Sequence, residues 1–175
     1  MNLFVARHGQ TDWNKKNLLM GSTDIGVNED GIKQAEKLHE KIRNIKFDFI
    51  ISSNLCRAFQ TATIACCTDN IIKNKNLRER DYGDLEGTTP ENIKQYWNIS
   101  KNLSDYSVEP IKKFLDRIFD EMDIILKEYK NCTNVLIITH HGVAMAIDAY
   151  FKNKYDYNFD NFDLDNCNYK KYVIN

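Results

Sequence analysis

Three polar clusters that could carry chemistry each follow a short apolar segment of the chain. They contain arginine or histidine, the side chains suited to holding or attacking a phosphoryl group. The clusters are Arg7-His8-Gly9, Arg57 and His140-His141-Gly142. In an open α/β sheet the ligand crevice lies outside the carboxyl ends of the strands. We therefore expect the three clusters to meet at one edge of a sheet and to hold an anion there.

The residue types favour phosphoryl transfer through a histidine. A neutral imidazole is a competent nucleophile, and a backbone hydrogen bond can fix one of its ring nitrogens for in-line attack. Arg7, Arg57 and a protonated His140 would neutralise the oxygens of the transferring group. Gly9 and Gly142 would let the backbone approach the anion closely beside a helix start.

A leaving alkoxide also needs a proton, which requires a carboxylic acid beside the site. Glu79 is the best-placed candidate, because it lies in the charged, Gly-punctuated loop Leu77–Thr89. The neighbouring Arg78 and Arg80 leave an alternative open, in which Glu79 forms a solvated ion pair and has no chemical role.

These residues must be positioned by regular elements, and the chain alternates short apolar runs with longer segments of helical period. This alternation is typical of an α/β fold. The predicted strands are Leu3–Ala6, Phe47–Ser52, Ile71–Ile72, Val135–Thr139 and Tyr169–Ile174. The predicted helices are Asp30–Arg43, Leu55–Cys66, a helix from Pro110 to Tyr129, and Gly142–Phe151.

Two segments have less regular patterns. Residues 87–108 contain Tyr96 and Trp97, and we expect a small cap over the site whose aromatic rings pack an organic leaving group. The alternative is a helix that packs Ile93 and Trp97 into the core. The Asn-, Asp- and Tyr-rich residues 152–168 predict an irregular surface segment.

Composition excludes several classes of protein. With 175 residues, 42% hydrophobic and 28% charged, the chain predicts one globular domain over residues 1–175. The formal net charge of −1 predicts no nucleic-acid partner. Five cysteines without a CxxC pair predict reduced thiols in a cytoplasmic protein. No apolar run approaches the roughly 20 residues that cross a bilayer, and no basic leader is present, so neither a membrane partner nor secretion is expected.

Four motifs, in their order and spacing, resemble those of the histidine phosphatase superfamily, the phosphoglycerate mutase-like group. The motifs are Arg7-His8-Gly9-Gln10-Thr11-Asp12-Trp13-Asn14, Ser52-Ser53-Asn54-Leu55-Cys56-Arg57-Ala58, Leu77-Arg78-Glu79-Arg80-Asp81-Tyr82-Gly83-Asp84-Leu85-Glu86-Gly87 and Thr139-His140-His141-Gly142-Val143. The resemblance implies a three-layer α/β/α sandwich with a mostly parallel central sheet. It also implies a reaction without metal or cofactor, through a phosphohistidine on His8.

The resemblance implies a role for each matched residue. Arg7, Arg57 and His140 are expected to bind the phosphoryl group, while Glu79 acts first as proton donor and then as base for the hydrolytic water. Supporting contacts are expected from Asn14 and Thr11. Further candidates for the substrate rim are Met20, Ser22, Thr23, Tyr82, Glu86 and His141.

Two features depart from the family pattern. His141 stands where a glycine usually follows the second catalytic histidine. The alignment of Gly142-Val143 favours His140 as the pocket residue, and His141 either contributes a backbone N–H or starts the helix. Between Gly87 and Pro110 there is no arginine pair like that with which true mutases hold a second phosphate or carboxylate. The chain therefore resembles the short phosphatases of the family.

The sequence thus predicts a phosphoric monoester hydrolase, a monomer or homodimer, that acts on a small phosphorylated metabolite such as α-ribazole phosphate or a sugar phosphate. Three alternatives stay open. A 2,3-bisphosphoglycerate-dependent phosphoglycerate mutase would need a cationic lid. A non-catalytic phosphate-binding scaffold would need neither a nucleophile nor an acid. A metal-dependent hydrolase using His8 and His140 lacks a paired ligand motif such as HxH.

Overall fold

A computed structural model describes residues 1–89, 91, 93–98, 107–156, 158–159 and 162–174. Within them lie the strands β1 Asn2–Arg7, β2 Phe49–Ser53, β3 Ile72–Asn74, β4 Asn134–Thr139 and β5 Tyr169–Val173. The α-helices are α1 Asp12–Lys15, α2 Glu29–Ile42, α3 Cys56–Cys66, α4 Ile111–Glu128 and α5 His141–Phe151. Short 3₁₀ helices cover Lys75–Leu77, Gly83–Leu85, Ile93–Trp97 and Lys154–Asp156. No helix in the described part of the chain is long and apolar enough to cross a membrane.

The strands form one sheet in the order β3-β2-β4-β1-β5. All neighbouring strands are parallel except β5, which runs antiparallel to β1. This confirms the predicted α/β fold with a mostly parallel sheet. Arg7 is in register with Thr139, and the His8 N–H donates to the Thr139 carbonyl at 2.8 Å. Strands β1 and β4 therefore end level with each other, which places the residues that follow them side by side.

Helices cover both faces of the sheet, which confirms the three-layer sandwich. Successive side chains of a strand point to opposite faces, so each central strand contributes buried side chains to the core on both faces of the sheet. The side chains facing α4 and α5 include Leu3, Val5, Val135 and Ile137. Those facing α2 and α3 include Phe4, Ala6, Leu136 and Ile138. Burial of each larger side chain contributes about 1.5–3 kcal/mol to the stability of this core.

The residues directly before α2 and α5 determine how each of these helices begins. The Asn28 side chain caps α2 by accepting the Gly31 N–H at 2.9 Å. Helix α5 starts directly after β4, with His140 as an extended N-cap residue whose ring makes no capping bond. The first-turn N–H groups of α5 therefore need other acceptors.

The structure corrects one expectation about the irregular segments and leaves another as a prediction. Phe162, Leu164 and Cys167 are buried, so residues 152–168 contribute to the core and are not simply a surface segment. Their apolar residues are too sparse to show a period. Of the expected cap 87–108, residues 90, 92 and 99–106 lie outside the described residues. The cap, and a single domain over 1–175, stay predictions.

Candidate active site

A cavity of about 410 Å³ opens beyond the carboxyl ends of β1 and β4. Polar side chains from distant parts of the chain share its wall, as the sequence predicted. They include Arg7, His8, Asn14, Glu79 and His141. Arg57 and His140 do not line the cavity, because both side chains are fully buried behind its wall.

His8 is held as a neutral imidazole with one defined tautomer. Its Nδ1 lies 2.7 Å from the Gly9 carbonyl oxygen, which can only accept, so Nδ1 carries the proton. Burial lowers the pKa of His8 well below its ordinary value, and the charges of Arg57 and Arg7 lower this pKa further. The unprotonated Nε2 is therefore available as a nucleophile, as the sequence reasoning required.

Arg57 is oriented by three acceptors at once. Its Nε donates to His140 Nδ1 at 3.2 Å, and its two terminal nitrogens donate to the carbonyls of Thr23 at 2.9 Å and Gly21 at 2.7 Å. Each terminal nitrogen retains another N–H for a ligand oxygen. Arg57 thus links the loop that contains Gly21 and Thr23 to the second histidine.

His140 is neutral in this structure, which corrects the expectation of a protonated ring. Its Nδ1 accepts from Arg57, and its Nε2 lies 2.8 Å from the Ser53 hydroxyl oxygen. Burial, followed by the charge of Arg57, lowers the pKa of His140 well below its ordinary value. The rings of His8 and His140 lie 5.2 Å apart between centroids, so a cation on either would disfavour a cation on the other.

Glu79 is suited to donate a proton. Burial raises the pKa of its carboxyl, although the N–H groups of Arg80 and Gly142, at 2.8 and 2.9 Å, and the charges of Arg57 and Arg7 oppose this rise. A raised pKa keeps the acid form at higher pH.

The alternative of a solvated ion pair at Glu79 is not supported. The Glu79 side chain is only 6% exposed. The buried Arg80 guanidinium donates to the carbonyls of Glu109 and Tyr96, and the Arg78 guanidinium lies 3.8 Å from the Glu109 carboxylate. Both neighbouring arginines are therefore engaged elsewhere.

Arg7 presents its charge at the cavity wall. One terminal nitrogen donates to the Leu164 carbonyl at 3.0 Å, while the buried Nε has no hydrogen-bond partner in the structure. A buried donor without a partner is uncommon, and the guanidinium of which it is part lines the cavity.

Asn14 lines the cavity, whereas Thr11 does not line it and instead holds Asn14 in position. Thr11 caps α1 by accepting the Asn14 N–H at 3.2 Å, and the Asn14 side-chain oxygen accepts the Thr11 N–H at 3.1 Å. This capping box fixes the Asn14 side chain beside Arg7. Thr11 itself is fully buried away from the cavity.

Ser22, Thr23 and Glu86, predicted at the substrate rim, bind one another instead of lining the cavity. The Glu86 carboxylate accepts the N–H groups of Ser22 and Thr23, each at 2.8 Å, and also both hydroxyls. It accepts the Tyr82 N–H at 3.0 Å as well. The three residues form a brace around the loop whose carbonyls hold Arg57.

The two glycines pack closely against other parts of the chain, and the predicted approach of their backbone to an anion stays a prediction. The Gly9 N–H donates to the Thr61 hydroxyl at 2.9 Å, and a Cβ at Gly9 would lie 2.6 Å from the Gly31 carbonyl oxygen of α2. A Cβ at Gly142 would overlap Glu79 Oε1. The lack of a side chain at Gly9 thus leaves room for the backbone of α2, and its lack at Gly142 leaves room for the Glu79 carboxyl.

Tyr82, Met20 and His141 line the cavity as predicted. His141 starts α5, and whether its backbone N–H also contacts the phosphoryl group stays a prediction. Burial, then the charge of Arg7, lowers the pKa of its ring. Trp97 lines the cavity and also packs edge-on against Phe114, so it lies between the cavity and the core.

Sequence reasoning missed several apolar wall residues and one polar partner. The wall residues are Leu18, Leu19, Met145, Phe159 and Phe162. None of them forms part of a motif, so only tertiary packing identifies them. Ser53, the partner of His140, lies within the second motif and could have been found there. No group of three or more His, Cys, Asp or Glu side chains in the described residues is arranged to hold a metal ion.

The comparisons with known proteins agree with this geometry. The profile of the histidine phosphatase superfamily (branch 1) matches residues 3–175. A probable phosphatase of Schizosaccharomyces pombe is 32% identical over 173 residues, 94% of this chain and 80% of that protein. A 2,3-bisphosphoglycerate-dependent phosphoglycerate mutase of Parvibaculum lavamentivorans is 38% identical over 167 residues, 83% of this chain and 79% of that protein.

Among solved structures, the α-ribazole phosphatase from Shigella flexneri matches with a TM-score of 0.85 and 26% identity, covering 100% of this chain and 91% of that chain. The match to the family confirms the expected enzyme class, a phosphoric monoester hydrolase. From its motifs, its fold and this match, the chain belongs to the histidine phosphatase superfamily, branch 1.

Proposed function

We propose that this protein hydrolyses a small phosphorylated metabolite, without a metal ion, through a phosphohistidine on His8. The observation that carries the proposal is the tautomer of His8. Its Nδ1 proton is bound to the Gly9 carbonyl, which leaves Nε2 as the nucleophile in a cavity shared with the acid Glu79.

In the first step, His8 Nε2 attacks phosphorus and the bond to the ester oxygen breaks. Glu79 gives its proton to the leaving alkoxide, and the alcohol departs. Arg7, on the cavity wall, binds oxygens of the transferring group, while the buried charge of Arg57, which is close enough to lower the pKa of His8, stabilises the negative charge of that group.

In the second step, the Glu79 carboxylate takes a proton from a water molecule whose oxygen attacks phosphorus. The bond between nitrogen and phosphorus breaks, which restores neutral His8 and releases inorganic phosphate. Glu79 is protonated again, so the cycle closes without another reactant.

A phosphoglycerate mutase is the alternative, and the relative from Parvibaculum lavamentivorans carries that name. A mutase must hold a second anionic group on its substrate. In the described cavity wall, Arg7 is the sole arginine or lysine. This supports transfer of the phosphoryl group to water. The formal net charge of −1 separately supports a partner other than nucleic acid.

The test is phosphate release from a panel of phosphomonoesters that includes p-nitrophenyl phosphate, sugar phosphates and α-ribazole phosphate, each with and without EDTA. Wild type is compared with His8→Ala and with His39→Ala, a histidine on α2 outside the cavity wall. We expect release that resists EDTA, is abolished in His8→Ala and persists in His39→Ala. Intact-mass analysis after an alkaline quench should show a phosphoryl adduct that His8→Ala lacks.

Loss of activity with EDTA, or normal turnover in His8→Ala, would overturn the proposal. Phosphate release only when 2,3-bisphosphoglycerate and a phosphoglycerate are both supplied would favour the mutase.

A further inference from the structure

The cavity wall around the proton donor is aromatic. The Trp97 ring and the Glu79 carboxyl both border Gly142, since a Cβ built there would overlap Glu79 Oε1 and lie 2.9 Å from a Trp97 ring carbon. The leaving oxygen takes its proton from Glu79, so the alcohol of the substrate must leave beside the Trp97 ring.

This aromatic wall extends beyond Trp97. The Phe159 ring lies 5.6 Å from the Trp97 ring, and the Phe162 ring lies 5.4 Å from that of His141, between centroids. Met145 and Leu18 complete an apolar surface on the same cavity. Such a surface favours a flat apolar group, which loses water on both of its faces when it binds.

Among the described residues, the same wall offers no second cation to a second anion. Arg7 is its sole arginine or lysine in the described residues, and the phosphoryl group uses that charge. Burial, followed by the charge of Arg7, lowers the pKa of the His141 ring, which disfavours its charged form. An adjoining cleft of about 500 Å³ shares Arg7 and is otherwise lined by amides, a hydroxyl and leucines. A carboxylate or second phosphate would find neutral donors there, but no second arginine or lysine among the described residues to offset the loss of its water.

We propose that the substrate is a phosphate monoester whose alcohol is uncharged and carries an aromatic or comparably flat apolar group. This inference rests on the proposed phosphatase activity and specifies the class of ester on which it acts.

The test compares esters of primary or secondary alcohols, so that leaving-group chemistry stays similar while recognition differs. The esters are 2-phenylethyl phosphate, glycerol 3-phosphate, phosphoserine and 3-phosphoglycerate, and p-nitrophenyl phosphate reports the basal activity. We expect kcat/KM for 2-phenylethyl phosphate to exceed that for each of the other three by at least tenfold.

Two variants at Leu18 sharpen this test, because its side chain is only partly buried and its loss should not unfold the chain. Leu18→Ala should lower kcat/KM for 2-phenylethyl phosphate by about fivefold and change that for glycerol 3-phosphate less than twofold. Leu18→Lys should raise kcat/KM for 3-phosphoglycerate. Leu126→Ala, which removes a partly buried leucine packed on the core away from the cavity, is the matched control.

If phosphoserine or 3-phosphoglycerate is hydrolysed as well as 2-phenylethyl phosphate, the inference is wrong while the phosphatase activity stands. If no ester releases phosphate, p-nitrophenyl phosphate included, both the inference and the proposed function fail.

A second inference follows independently from the hydrogen bonds that Glu86 makes to the loop whose carbonyls hold Arg57. Glu86 binds the backbone N–H groups of Ser22 and Thr23, and the adjoining carbonyls of Gly21 and Thr23 accept from Arg57. We infer that Glu86 is a positioning residue that acts on phosphoryl transfer through the orientation of Arg57.

A double-mutant cycle tests this role. Glu86→Gln keeps the size of the side chain but replaces one accepting oxygen by a donor, and should lower kcat about tenfold in the wild-type background. In an Arg57→Ala background it should have no further effect on kcat. Where Arg57→Ala does not fold, Arg57→Lys replaces it, because lysine cannot reproduce the forked contacts.

A purely structural role would lower the melting temperature and reduce kcat equally in both backgrounds, which would overturn the second inference. Unchanged kcat in Glu86→Gln would overturn it as well. Asp148→Asn, at a buried carboxylate outside the cavity wall, controls for general destabilisation.

Discussion

Replacing Gly142 by alanine should disable the proton donor while sparing the nucleophile. The new Cβ would overlap Glu79 Oε1 and lie 2.9 Å from a Trp97 ring carbon, so the carboxyl must move by about 1 Å to restore an ordinary contact. A displacement of that size at a reacting group costs about 10²-fold in rate. The overpacking itself should lower the free energy of unfolding by about 1–3 kcal/mol, partly offset by the better helix propensity of alanine.

The assay compares an ester that needs a proton on its leaving group with one that does not. We expect Gly142→Ala to lower kcat for 2-phenylethyl phosphate about 10²-fold, and kcat for p-nitrophenyl phosphate by less than tenfold, since nitrophenolate leaves without protonation. Gly26→Ala is the matched control, because its Cβ would meet only the flexible end of the Gln60 side chain. Turnover of 2-phenylethyl phosphate within threefold of wild type would refute the assignment of Gly142 as the residue that admits Glu79.

Three further predictions concern the acid, the buried arginine and the core. Glu79→Gln should slow phosphoryl transfer from alkyl esters about 10²-fold and leave p-nitrophenyl phosphate nearly unaffected. Burial raises the pKa of Glu79, and the acid form is the proton donor, so the single-turnover rate with alkyl esters should fall as pH rises through that pKa. If Glu79→Gln keeps the pH profile of wild type, Glu79 is not the group that titrates. Arg57→Ala should cost about 2–4 kcal/mol of transition-state stabilisation, measured as kcat/KM, and a loss under tenfold would place Arg57 outside the reaction. Asp148→Asn should lower the free energy of unfolding by about 1–3 kcal/mol in a denaturant titration with kcat unchanged, since Asp148 accepts from Lys152 at 2.8 Å and Tyr172 at 2.9 Å.

The order of elements and the principal reactive residues could be predicted from sequence, because their signals are local. The apolar run Val135–Thr139 reads as a buried strand without reference to the rest of the chain, and observed β4 differs from it by one residue. The carboxyl ends of parallel strands share one edge, so the histidines after β1 and β4 could be expected at the same edge of the sheet. The pairing of β1 with β4 then placed them side by side.

Tertiary structure alone decided which atoms of those residues are available for chemistry. Gly142 and Glu79 are 63 residues apart, and local spacing could not reveal the hydrogen bond between the Gly142 N–H and the Glu79 carboxyl. The neutral state of His140 likewise depends on an Arg57 N–H that reaches it from another helix.

The chain by itself therefore determined the elements, the candidate reactive residues and the family, because periodicity and short motifs are properties of neighbouring residues. The fold decided the tautomer of His8, the ionisation of Glu79 and the aromatic wall formed by Trp97 and Phe162. These properties arise from burial and directional contacts between segments far apart in sequence, and such contacts exist only once the layers have packed.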